Sequence, residues 1–387
     1  PEQGMAKVLY GTMGAVAIGI LAIFFGYVLH IFNAFTAFTP DLSCTSVGAD
    51  VMSTGSEDFT IYRNGIVFVS SGDLYPLFRD GIEAAEHGKI LTLDLTAEDL
   101  NPTVLEIEGY TKPRLQPHGM YYSNKTNRLL VISHALQLGG STVEIFEVLN
   151  DPIRLKYVES VSSPLFPHGT INDLVEGTSA DEIYITKLRQ NPIPLKGMAH
   201  AHTAWEIIES ILDRTVPIFY ALTRIVRCSK DSGLWECENV GRRGTAYNGI
   251  AVSKDRQTYY VADIFTKSVR EFDRNPTTGA FKYIRDIPAV HCLDNINLDE
   301  ESGDIIGGII PSMWSFVRHW GKRSIPSPGG VIFFSKSKGY KSPEILIHDG
   351  SVISSTSVAA FWGDKIVLGS AFSTEGVAVC KRMNNTK

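Results

Sequence analysis

From residue 57 to the C-terminus, short apolar runs of period two alternate with turns rich in Gly, Asn and Asp. The clearest are GIVFVSSG, GKILTLDL, RLLVISH, STVEIFEV, DEIYITKL, TYYVADIF, GGVIFFS and KIVLGSAF. Alternation over so few residues puts successive side chains on opposite faces, which is the pattern of a strand. Divided by six, the region gives about 55 residues per unit, near the roughly 40–50 of a four-stranded propeller blade. Landmark turns fall near 57, 118, 172, 248, 294 and 357. The fold class expected is all-β: a six-bladed β-propeller over 44–387, with insertions at about 187–227 and 312–330.

Four of those turns carry acid/amide pairs or an Asn-Gly: Glu57-Asp58, Asn172-Asp173, Asn248-Gly249 and Asp294-Asn295. Each residue alone is an ordinary turn former. Together they are hard oxygen donors, and a calcium ion takes six to eight oxygens. No cluster is an EF-hand loop, so the fold itself would have to assemble the site. A propeller does so, because equivalent turns of its blades point at one central channel. Glu57, Asn172, Asn248, Asp294 and Asn295 are then expected to converge.

Histidines come next. Pro117-His118-Gly119 and Pro167-His168-Gly169 share a tripeptide, and His134 follows the strand RLLVIS. A histidine beside such a site can serve as general base. No Gly-x-Ser-x-Gly elbow, HExxH or P-loop occurs, so serine-nucleophile chemistry is not signalled.

The insertions differ in character. Thr203 to Arg214 reads as an amphipathic helix, with Trp205, Ile208, Ile211 and Leu212 on one face and Pro217 stopping it. Ser312 to Gly330 joins two Trp and a Phe to Arg318, His319, Lys322 and Arg323, and its Pro-Ser-Pro-Gly-Gly end marks a loop. Both are expected to cover the propeller or to meet a partner.

Val8 to Leu29 carries no charged side chain. It is long enough for the roughly 20 residues that cross a bilayer and long for a signal-peptide core of about 7–15. It is expected to be a transmembrane signal-anchor helix over 8–29, after a tail at 1–7 and before a linker at 30–43. The bulk would lie outside the cell or in the endoplasmic reticulum lumen, as a single-pass membrane protein in contact with lipid. A bond between Cys44 and Cys380 would tie the ends of the folded domain. Cys228 and Cys237 bracket a hairpin-like stretch and could pair locally, leaving Cys292. Sequons at Asn124 and Asn384 fit a secretory route as glycosylation sites. Net charge is −6, and with no basic stripe nucleic acid is not an expected partner.

In order, GSEDFTIYRNGIVFVSSG, GKILTLDL, PHGMYYS, LLVISH, STVEIF, INDLV, NGIAVS, LDNINLDEESGDI and STSVAAFWGDKIVLGSAF resemble the paraoxonase/arylesterase/lactonase family. That resemblance implies a six-bladed propeller with two calcium ions in its central tunnel. It implies a catalytic calcium on Glu57, Asn172, Asn248, Asp294 and Asn295. A structural calcium would lie deeper, on Asp58, Asp173 and the backbone carbonyl of Met120. His118 and His134 match the family's water-activating pair, with Glu57 or Asp294 as alternative base or nucleophile. The Cys44–Cys380 disulfide would join the first and last strands.

The expected activity is calcium-dependent hydrolysis of aryl esters or lactones by a membrane-anchored enzyme. Two segments depart from the family. Its usual Thr-Asn-Asp-His reads Thr186-Lys187-Leu188-Arg189, and its Cys-His-Pro reads Ile309-Ile310-Pro311. The altered wall keeps an alternative in view: a non-catalytic paraoxonase-like chaperone or accessory subunit for a degenerin-type sodium channel.

Overall fold

The structure is a computed structural model that describes residues 18–19, 22–26, 28–30, 32–52, 54–135, 140–192, 221–363 and 365–383. Six antiparallel sheets, here blades I to VI, each lay four strands outward from a common axis. Blade II adds a fifth strand, Ile107–Glu108, parallel to its outermost one. The innermost strands are Asp58–Arg63, Pro117–Ser123, Ile171–Glu176, Tyr247–Val252, Cys292–Leu298 and Val358–Trp362. They begin where the landmark turns were expected, and each run named above forms a strand of its blade.

Blade VI is completed from the other end of the chain. Leu42–Val47 pairs antiparallel with Val377–Arg382, which brings Cys44 opposite Cys380. The two are joined by a disulfide, and Cys228–Cys237 forms a second within blade III.

Six main hydrophobic clusters correspond to the six junctions between blades. Tyr184, Ile225 and Val175 of blade III, for example, pack against Tyr247, Tyr259 and Phe272 of blade IV. Val69 and Leu91 of blade I meet Val358 and Val367 of blade VI, closing the ring. Burying each such side chain contributes about 1.5–3 kcal/mol, and the innermost strands Ile171–Glu176 and Tyr247–Val252 are buried along their whole length.

The loops between the second and third strands of blades I and V meet on one face, where Tyr75 packs edge-on against Trp320. Blade I contributes a short helix, α1 (Leu74–Asp80), and blade V contributes α2 (Met313–Gly321), capped by the Ser312 side chain. The 312–330 segment expected as a loop is therefore partly helical, and its last two glycines already open the strand Gly329–Phe334. The helix expected over 203–214 lies outside the described residues. So does most of 8–29, of which residues 18–19, 22–26 and 28–29 are helical. Among the described residues no helix is long and apolar enough to cross a membrane.

Candidate metal centre and active site

Four innermost strands share one irregularity. In each, two residues oppose a single residue of the second strand, which is a β-bulge. The bulged pairs are His118-Gly119, Asn172-Asp173, Asn248-Gly249 and Asp294-Asn295. Three of the four acid/amide clusters are therefore not turns between strands, as their composition suggested, but bulges inside the first strands of blades III, IV and V. Glu57-Asp58 instead stands where the first strand of blade I begins. Glycine is required at 119 and 249. A Cβ on Gly119 would stand 2.3 Å from the Asn172 carbonyl oxygen, and one on Gly249 would stand 2.5 Å from the Ile296 nitrogen.

Glu57 is the hub. It is 1% exposed. The Asn295 Nδ2 donates to its Oε1 at 2.8 Å and to its backbone oxygen at 3.2 Å, and the Ser357 hydroxyl donates to that backbone oxygen at 2.6 Å. His118 Nε2 stands 3.3 Å from the same Oε1. Four buried side-chain oxygens are left without any hydrogen bond: Glu57 Oε2, Asn172 Oδ1, Asn248 Oδ1 and Asn295 Oδ1. Buried polar atoms are normally satisfied, so four orphan acceptors from four blades need a donor of positive charge. Asp294 lies with them, in contact with the Asn248 side chain, and burial and the Glu57 charge raise its pKa well above the usual carboxylate range. These five residues suit a calcium ion, which takes carboxylate and amide oxygens. Among the described residues no three His, Cys, Asp or Glu side chains form a metal cluster on their own. The fit depends on the amides.

Asp58 and Asp173 are built alike. Each accepts the N–H of the next residue on Oδ1, from Phe59 at 2.8 Å and Leu174 at 2.7 Å. Each accepts a neighbouring blade's N–H on Oδ2, from Met120 and Ile250, both at 2.8 Å. Burial raises both pKa values well above the carboxylate range, with repulsion from Glu57 acting on each and Asp173 also acting on Asp58. Two buried carboxylates in mutual repulsion call for a cation. Met120 meets Asp58 through its N–H, whereas the sequence reading gave a role to its carbonyl.

His118 and His134 are in contact, Nδ1 to Nε2 at 2.7 Å, and His134 Nδ1 is 2.7 Å from Ser141 Oγ. The Gly169 N–H donates to that Oγ at 3.2 Å. Burial, then the charges of His118 and His168, holds the His134 pKa well below that of a free imidazole. Phe78 of α1 packs edge-on against both rings, with centroids 6.3 and 5.4 Å away. Sequence reasoning missed Ser141, Gly169, Ser357 and Phe78. Only Gly169, in the repeated Pro-His-Gly, carried a signal. Asn124 is exposed, and Asn384 lies outside the described residues. At the mouth, Leu188 and Ile310 lie in an apolar cluster with Cys292 and Met313.

Comparison with known proteins fits this architecture. The sequence profile of the Arylesterase family matches residues 43–376. Human serum paraoxonase/lactonase 3 is 27% identical over 330 residues, covering 83% of this chain and 84% of its own. Rat serum paraoxonase/arylesterase 1 is 26% identical over 352 residues, covering 88% and 90%. Among solved structures, a luciferin-regenerating enzyme superposes with a TM-score of 0.51 at 12% identity, over 89% of this chain and 96% of that one. Regucalcin from Agrobacterium tumefaciens, described as a calcium-binding protein, gives 0.50 at 14% identity, over 89% and 95%. These two likenesses concern the propeller fold. With the profile spanning nearly all of the propeller, the chain belongs to the arylesterase family, alongside the paraoxonases and lactonases.

Proposed function

We propose that this protein is a calcium-dependent hydrolase of aryl esters or lactones, anchored to a membrane through residues 8–29, with its propeller outside the cell or in the endoplasmic reticulum lumen. The observation that carries the reading is the set of four orphan oxygens on Glu57, Asn172, Asn248 and Asn295, beside Asp294. Family membership supports ester or lactone hydrolysis. A second calcium would sit on Asp58, Asp173 and Met120.

Calcium bound at the upper set would polarise the scissile carbonyl and stabilise the oxyanion. The chain's own contribution is proton handling. In one arrangement the Ser141 hydroxyl donates to His134 Nδ1, His134 Nε2–H donates to His118 Nδ1, and His118 Nε2–H faces Glu57. In the other, His118 Nδ1–H donates to His134 and His134 Nδ1–H to Ser141, which frees the His118 Nε2 lone pair. That second arrangement lets His118 take a proton from an attacking water, as a general base must. His134, kept neutral by burial, leaves that proton on His118, from which it can be returned to the leaving alkoxide. Phe78 excludes water from the outer side of the pair.

The test is turnover of phenyl acetate and an aliphatic lactone, with and without chelator. Calcium-sensitive hydrolysis is expected; folded protein with no such turnover would overturn the reading. In that case the channel-assisting role gains. The apolar packing of Leu188 and Ile310 at the mouth favours it, and surface delivery of a co-expressed sodium channel would be its measure.

A further inference from the structure

The segment that precedes the propeller is tied to the site face. Trp314 N–H donates to the Phe32 carbonyl at 3.1 Å, and Asn33 Nδ2 donates to the Pro311 carbonyl at 2.7 Å. The Ser312 hydroxyl donates to the Asn33 carbonyl at 3.4 Å. These bonds place the Phe32 ring against Ala246, Ile264, Cys292, Ile310 and Met313, with Phe316 alongside. The chain then runs outward: Phe38 meets His291 edge-on, and the Asp41 N–H bonds the Ile347 carbonyl at the rim of blade V.

Ala246 stands two residues before Asn248, and Cys292 two before Asp294. Two residues of extended strand span roughly 7 Å. The cluster that Phe32 joins is therefore the wall directly outside the oxygen set, on the side where blades IV and V meet. We propose that Phe32 is a wall residue of the substrate mouth and sets the bulk of ester or lactone that reaches the metal centre. This specificity role rests on the hydrolase reading. The hydrogen bonds fix the Phe32 main chain, and the apolar cluster packed against its ring limits rotation of the side chain. Discrimination by such a wall is worth about 1–3 kcal/mol per group accommodated, or roughly 10–200-fold.

Cys292 supplies a reporter that is independent of turnover. It keeps a free thiol, is 3% exposed, and burial pushes its pKa up to about 11. Wild type, Phe32→Leu and Phe32→Ala are compared in two assays. One is the turnover ratio of naphthyl butyrate to phenyl acetate. The other is the labelling-rate ratio of fluorescein maleimide to N-ethylmaleimide at Cys292. Phe32→Ala is expected to raise both ratios about tenfold, with Phe32→Leu between it and wild type. Both ratios unchanged in a folded Phe32→Ala protein would overturn the proposal. If that variant fails to fold, the Phe32→Leu ratios decide. If no protein in the series hydrolyses any ester or lactone, the hydrolase reading falls. The maleimide ratio then still decides whether Phe32 limits entry by size.

Discussion

Asn295 and Glu57, 238 positions apart, are locked together by the asparagine's amide nitrogen, which donates to both the side chain and the backbone oxygen of the glutamate. A primary amide has one donor end and one acceptor end. With the nitrogen committed to Glu57, Asn295 Oδ1 has to face the other way, into a buried space with no protein donor. The pair thus orients an unsatisfied oxygen before any ion arrives.

Calcium is therefore expected to raise the melting temperature of the folded protein. At a hundredfold excess over Kd the gain is about 2.7 kcal/mol. Glu57→Gln removes the charge at the hub and is expected to lose most of that gain, together with at least ~100-fold in chelator-sensitive turnover. Differential scanning calorimetry with and without calcium measures the first, and phenyl acetate hydrolysis the second. An unchanged calcium response in the variant would remove Glu57 from the site.

Asp173 carries a prediction of opposite sign without calcium. Its pKa is raised in the fold, so its contribution is fully present below the unfolded carboxylate pKa and is lost as pH rises through the folded value. Metal-free protein should lose stability between mildly acidic and neutral pH. Asp173→Asn should flatten that loss and raise the neutral-pH melting temperature of the metal-free form. The same variant should respond less to added calcium. A variant destabilised at neutral pH with calcium chelated would contradict the assignment of burial, reinforced by repulsion from Glu57, as the cause.

Ser141 stands at the far end of the histidine pair, 2.7 Å from His134 Nδ1, and would act by fixing the proton on His134. Removing an outer partner of this kind typically costs 10–100-fold. Ser141→Ala is expected to lower kcat by about that factor with KM little changed, and to shift the acid limb of the kcat profile. Ser141→Thr, which keeps the hydroxyl, should restore most of the rate. A rise in KM alone would indicate a purely structural role.

His348 sets an acid limit to stability. It accepts the Gly350 N–H on Nδ1 and bonds Thr356 through Nε2, an arrangement only the neutral ring can make. Burial lowers its pKa from 6.5 to about 4. The stability this gives is present above pH 6.5 and lost as pH falls toward 4. It amounts to roughly 3 kcal/mol at 1.36 kcal/mol per pH step. In calcium-loaded protein, where the carboxylate repulsion is offset, melting temperature should fall as pH drops across that window, and the fall should shrink in His348→Asn. An equally steep fall in His348→Asn would place the acid sensitivity elsewhere.

The propeller was readable because strands such as Ile66–Ser71 and Thr258–Asp263 are buried along almost their whole length, and that leaves short apolar runs bounded by turn residues in the chain. The oxygen donors were readable as residue types, yet their setting was not. Asn172-Asp173 has the composition of a turn, and nothing local says that it bulges within a strand. The helix α1 left no trace, because seven residues with Pro76 among them show no helical period. Ser141 and Phe78 were silent for a different reason. A lone serine or phenylalanine gains meaning only from what stands opposite, and His134 stands opposite both.

The strand Leu42–Val47 has a consequence for how the protein is made. It is the outermost strand of the blade whose other three come last in the chain. Synthesised ahead of the other blade strands, it has no strand partner until Val377–Arg382 is also made. Through nearly the whole of translation, then, five blades have to collapse beside an open seam and a waiting edge. An unpaired edge invites pairing with other chains, so the interval before the ring shuts is when this protein most needs to be kept apart from its neighbours.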